Sequence, residues 1–254
     1  MSIHKFPIKA ITCATRAGFL TKEIWQKYIF EGKSARGCNK GWAELVRRKY
    51  FARHPNERMN DVLVLNRKNH RLMDGFDESP SKPPIERQLR HDEFVLGGVL
   101  DLERHGFVGH WTTEAELKSL GLDAYRIEGS LTDAKYPDAI LYLNGIGSDN
   151  KVALEMELTL KEKSRYRKIM SAYSFVRELR LLLFVVANPA IEAAIRAAAE
   201  EVFFPKDATT LTFMRLADWK KNPAEALMEI DEPLNNRRIT FASWMAGRTQ
   251  SRAS

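Results

Sequence analysis

The stretch Leu181–Ala187, LLLFVVA, limits most strongly what this chain can become. Its seven consecutive apolar residues are far short of the roughly 20 that a membrane-crossing helix needs. They read instead as a buried strand. The flanking segments alternate between helical and strand patterns. Lys161–Glu178 and Pro189–Phe204 carry helical spacing. Phe107–Trp111, Asp138–Leu143, Val152–Leu158 and Leu211–Leu216 read as strands, with Gly145–Asn150 as a turn. Ile85–Arg104 is a further helix, weakened by Gly97 and Gly98, and Thr113–Leu120 a short one. The order αβββαβ with later additions predicts a mixed α/β architecture, a central sheet flanked by helices.

Charge divides the chain unevenly. The formal net charge is +7. Residues 15–73 hold 14 Lys/Arg against 5 Asp/Glu, whereas residues 74–254 hold 24 against 28. A basic excess confined to the first third is the electrostatic footprint of an anionic partner such as nucleic acid. The two cysteines, Cys13 and Cys38, lie in no CxxC pair and near no His at metal-ligand spacing. That argues against a disulfide framework and a zinc knuckle. The start MSIHKFPIKA lacks a long apolar core, so the expected location is the cytoplasm, away from any membrane. No Gly-rich loop of Walker type is present, which removes support for an ATPase.

Within the basic third the pattern is helix, helix, helix, hairpin. Ile8–Ala17 is helical and ends at Gly18. Thr21 is a natural N-cap for Lys22–Phe30. A third helix covers Ala35–Lys49, with Trp42, Leu45 and Val46 facing inward. Tyr50–Arg53 and Val62–Leu65 are strands about the turn His54–Arg58. This is the layout of a winged helix-turn-helix, in which the third helix enters the major groove. Arg36, Lys40 and Arg47 fall on one stripe of that helix, suited to phosphates and base edges. Arg53 and Arg58 on the wing would meet phosphate.

Three acids form the other constellation. Asp138 follows Pro137 at the head of one strand, and Glu155 and Glu157 lie in the next. Residues at i and i+2 in a strand share a face, so the two glutamates project together while Leu154, Met156 and Leu158 face the other way. Three converging carboxylates repel one another unless a cation sits between them. Hard oxygen donors of this kind suit Mg²⁺ or Mn²⁺. Such an ion activates water and stabilises a phosphodiester in transition. Lys161, Arg165 and Lys168 recur at helical spacing after the acids. Lys161 or Lys168 would hold phosphate, with little to separate them.

Pro137-Asp138 with Glu155-x-Glu157 resembles the PD-(D/E)xK nuclease superfamily, with Glu157 standing where Lys is usual. That resemblance implies catalytic roles for Asp138, Glu155, Glu157, Lys161 and Lys168, and metal ligation by the three acids. It also implies an added acid from the first core helix, for which Glu93, Asp101 and Glu103 are candidates. The wider series is similar to the replication-relaxation family of plasmids and integrative elements. It comprises the basic winged helix, a helix opening with His91, Trp111-Thr112-Thr113-Glu114, Pro137-Asp138-Ala139, Glu155-Met156-Glu157-Leu158-Thr159 and Tyr166…Lys168…Tyr173. It implies DNA binding linked to replication or mobilisation of a mobile element.

The expected organisation is a winged helix-turn-helix at 1–73, a proline-containing linker at 74–88, a PD-(D/E)xK nuclease-like mixed sheet at 89–243 and a flexible tail at 244–254. The expected partner is double-stranded DNA. A second copy of the chain and replication or transfer proteins are further candidates. Three functions stay open: a divalent-metal-dependent endonuclease or nickase, an inactive regulator of replication, mobilisation or transcription that uses the nuclease-like fold for dimerisation or partner contact, and a transcription repressor with a ligand-sensing second domain. Tyr166, Ile169, Tyr173 and Val176 read as core packing, and His105 and His110 as structural or surface residues.

Overall fold

A computed structural model describes residues 5–66, 82–120, 136–145, 151–176, 179–205, 209–232 and 235–250 of the 254-residue chain. Much of the expected linker, most of the Gly145–Asn150 turn and the last four residues lie outside the described residues. The chain forms two compact units, Met1–Leu96 with Ala115–Leu120 and Gly97–Glu114 with Gly121–Ser254.

The first unit is rich in helix. Helix α1 (Lys5–Ala17) stops at Gly18, whose φ of 84° reverses the chain at a value that other residues avoid. The short strand β1 (Leu20–Thr21) follows. Thr21 then caps α2, accepting the Ile24 amide on its side chain. Helix α2 runs over Lys22–Ile24 and widens into a π-helical turn at Trp25–Ile29. Ser34 caps α3 (Ala35–Arg47) in the same way, through the Gly37 amide.

The Trp25 indole N–H donates to the Cys38 carbonyl at 3.1 Å, joining α2 to α3. Gly41 permits this approach, since a Cβ there would stand 2.8 Å from the Trp25 ring. Strands β2 (Phe51–Arg53) and β3 (Val62–Leu65) complete an antiparallel sheet of order β1-β3-β2, with a 3-10 turn at Glu57–Met59 between them.

Helix α4 (Glu86–Arg104) contains the division between the units, which falls between Leu96 and Gly97. The boundary was expected earlier, at 74–88. The start of α4 is bound into the first unit, where Asn56 Nδ2 donates to Glu86 at 3.1 Å. The short α5 (Glu114–Leu120) also contributes Ala115–Leu120 to that unit.

The second unit is built on a seven-stranded sheet of order β10-β9-β8-β7-β6-β5-β4. Its strands are β4 (Val108–Thr113), β5 (Ala139–Leu143), β6 (Lys151–Glu157), β7 (Leu181–Val186), β8 (Thr210–Arg215), β9 (Leu227–Glu232) and β10 (Asn235–Thr240). Strands β6, β7 and β8 are mutually parallel and every other neighbouring pair is antiparallel. All six residues of β7 are buried, as a parallel strand covered on both faces requires.

Helices α6 (Lys163–Tyr173) and α7 (Pro189–Glu201) link the parallel strands. Helix α7 seats on the sheet through Arg196, whose guanidinium lies 4.4 Å from the Phe213 ring centroid and pairs with Glu192 and Glu229. Helix α8 (Leu216–Lys221) places Trp219 in the core. Helix α9 (Phe241–Gln250) occupies most of what was expected as a flexible tail. Phe241, Trp244 and Met245 recur at i, i+3 and i+4 and are all buried, so this segment packs against the unit.

A Cβ at Gly98 would lie 2.0 Å from the Trp219 ring, so only glycine fits where α4 passes over it. Gly98→Ala is expected to lower stability by about 1–3 kcal/mol through overpacking. Adding Trp219→Phe should recover part of that loss. Urea unfolding of the two single variants and the double variant checks this, and additive losses would contradict it.

Candidate functional site

Helix α3 separates its residues by face. Arg36, Asn39, Lys40, Ala43 and Arg47 are exposed, while Cys38, Trp42 and Leu45 are buried. At about 100° per residue, Arg36, Lys40 and Arg47 form one stripe and the three buried residues stand roughly 180° away. Sequence reasoning missed Asn39 and Ala43 on the same exposed face. Their signal was present, since each is three or four residues from a stripe arginine or lysine.

The five basic candidates of this unit differ in their surroundings. Arg36 and Lys40 are exposed and have no partner among the described residues. Arg47 forks onto Glu44, donating Nε to Oε2 at 2.7 Å and Nη2 to Oε1 at 2.6 Å. Arg48 donates Nε to the same carboxylate at 2.6 Å. These two guanidiniums hold the Glu44 carboxyl down at about 2, so it stays charged at neutral pH. On the β2–β3 turn, Arg53 donates to the Asn60 carbonyl at 2.9 Å. Arg58 projects with 81% of its side chain exposed, 3.9 Å from Glu86.

In the second unit, β6 turns Lys151, Ala153, Glu155 and Glu157 to one face and Val152, Leu154 and Met156 to the other. Both glutamates are 1% exposed. Burial on that scale demands partners. Glu155 Oε1 accepts the Tyr173 hydroxyl at 2.5 Å, and Glu157 Oε1 is ion-paired with Lys161 Nζ. Tyr173 is buried as well, and that burial, with Glu155 beside it, pushes its phenol well above its usual value. The charges of Asp138 and Glu114 push in the same direction, so three acids act on one hydroxyl.

The strand register explains that convergence. Thr113 pairs with Ala139, and Ala139 with Leu154. One step further along, Glu114, Asp138 and Glu155 lie side by side across β4, β5 and β6. The Glu114 amide donates to the Asp138 carbonyl at 3.0 Å. Asp138 Oδ2 accepts the Met156 amide at 2.7 Å, filling the place of the next rung between β5 and β6. Glu114 was not among the acids considered for this position. Of those that were, Glu93 belongs to the first unit, Asp101 pairs with Arg104 at 2.9 Å and Glu103 is exposed.

The two lysine candidates separate clearly. Helix α6 begins at Lys163 with Glu162 as its N-cap, so Lys161 precedes the helix and turns back to Glu157. Its amide also donates to the Tyr166 hydroxyl at 3.2 Å. Lys168 and Arg165 are exposed on α6, opposite the buried Tyr166, Ile169, Met170 and Tyr173. Lys168 thus lies on the exposed side of α6, while Lys161 is the one that meets an acid.

A three-carboxylate cation site needs Asp138, Glu155 and Glu157 to share one centre. Among the described residues, no three His, Cys, Asp or Glu side chains form such a group. Glu155 is held by Tyr173, Glu157 by Lys161 and Asp138 by the Met156 amide. As these side chains stand, the set does not fit Mg²⁺ or Mn²⁺.

Tyr173→Phe leaves the buried Glu155 without this donor and is expected to cost about 2 kcal/mol at pH 7, as for hydrogen bonds to charged groups. The folded-state value for Tyr173 lies above its ordinary value of 10.0, so the stabilisation is complete below pH 10 and fades as pH rises further. The variant should therefore lose less stability than the parent between neutral and strongly alkaline pH. Denaturant unfolding across that range checks it, and parallel profiles would contradict it. The geometry stands alone here: no family model, curated protein or solved structure matches this chain.

Proposed function

We propose that the protein binds double-stranded DNA through its first unit, with α3 in the major groove and the β2–β3 turn along the adjacent backbone. The observation that carries this is the exposed Arg36–Lys40 stripe, set opposite the buried face of α3 with no counter-charge on either residue among the described residues. The order β1-β3-β2 beside three helices supports reading this unit as a winged helix-turn-helix. The basic excess of residues 15–73 supports the same partner.

The second unit reads as a PD-(D/E)xK nuclease-like sheet. The order α4, β4, β5, β6, α6, β7 and the placing of Asp138 beside Glu155 support that assignment. Its acids are each engaged by a protein partner, which favours a regulatory or accessory role over cleavage. This combination is consistent with the resemblance to the replication-relaxation family, and replication, mobilisation or transcription of a mobile element is the setting it suggests. A second reading, divalent-metal-dependent DNA cleavage, is favoured by one observation: Lys161 meets Glu157, supplying the cation that the motif lacks in sequence. That reading requires Glu157 to leave Lys161.

Fluorescence anisotropy with duplex DNA across a salt series tests the binding. Arg36→Ala with Lys40→Ala should weaken binding about tenfold and reduce the salt slope by about 2, as two lost phosphate contacts would. An unchanged slope would count against the proposal. Glu44→Gln should act oppositely, since it frees Arg47 and Arg48 for phosphate. Affinity is then expected to rise about tenfold, with a steeper slope. Supercoiled plasmid incubated with Mg²⁺ or Mn²⁺ should stay intact. Nicked or linear product that disappears in Asp138→Ala and Glu155→Ala would establish the second reading instead.

A further inference from the structure

We propose that Asn39 reads an adenine in the major groove, so that the preferred DNA carries an A·T pair facing the middle of α3. This rests on the DNA-binding reading above. Asn39 is exposed, and its carboxamide makes no hydrogen bond among the described residues. Four residues beyond the helix start at Ala35, it lies past the positions where Asn caps a helix. Asn is a poor helix former away from a cap, because it competes for nearby backbone groups. Its presence there is unexplained by the fold.

The neighbours of Asn39 suit base reading. Arg36 and Ala43 flank it along the helix at i−3 and i+4, and Lys40 adjoins it. Arg36 and Lys40 supply the charge that holds the helix to the backbone. Ala43 is small enough for close approach, and its methyl suits the thymine C5-methyl of the same or the next pair. Arg47, the other polar residue of the stripe, is tied to Glu44. Among the five exposed residues of the stripe, Asn39 alone offers a donor and an acceptor side by side. Adenine presents the complementary pattern, an N6 donor beside the N7 acceptor.

The test is selection from a randomised duplex pool with the full chain and with Asn39→Ala, followed by titration of the selected sequence. The parent should enrich one A·T position, and changing that pair should weaken binding by about 5- to 150-fold. Replacing its adenine with 7-deazaadenine, which lacks only the N7 acceptor, should cost the parent about tenfold. Asn39→Ala should show neither effect while still binding duplex DNA. An A·T preference that survives in Asn39→Ala, or sequence-blind binding by the parent, overturns the proposal and leaves DNA binding standing. Absence of any duplex binding removes both readings.

Discussion

Strand β6 buries two carboxylates in the middle of a sheet, and much of the second unit answers to that requirement. A glutamate enclosed without a donor costs several kcal/mol, on the order of a buried unpaired charge. The hydroxyl of Tyr173 meets Glu155, and the ammonium of Lys161 meets Glu157. Both partners come from the connection that follows β6, one from the end of α6 and one from just before its start. The crossover to β7 is thereby pinned at two points. Tyr166 adds a third tie by accepting the Lys161 amide. The same connection that makes β6 and β7 parallel thus satisfies the charges that β6 carries.

The first unit handles charge in the opposite way, by keeping it outside. Its helices pack through Trp25, Trp42 and Leu45, and the basic residues of α3 stay on the far side. Glu44 then distinguishes among them. It holds Arg47 and Arg48 at the C-terminal end of α3, while Arg36 and Lys40 near the N-terminal end keep their charge available. The positive face is graded along its length, strongest toward the N-terminal end of α3.

Local signals made part of this legible in the sequence. Thr21 is a cap by residue type and position, and β3, β6 and β7 follow from apolar run or alternation. Part of what was missed depended on partners distant in sequence. Strand β1 is two residues long and exists only because β3 lies beside it. Helix α9 carries a clear apolar spacing in Phe241, Trp244 and Met245, which the polar residues after it obscured. Lys161 was assigned to the helix with Lys168. The start of α6 at Lys163 broke that shared phase and sent the two side chains to different places. Glu114 entered the acidic row through the pairing of β4 with β5, a register that one strand alone does not encode.

The Asp138 carboxylate stands in for a backbone carbonyl at the end of the β5–β6 ladder. One main-chain proton of the sheet is therefore held by a side chain where the ladder would otherwise supply a carbonyl. Deuterium uptake at Met156 would then report how firmly Asp138 holds that amide.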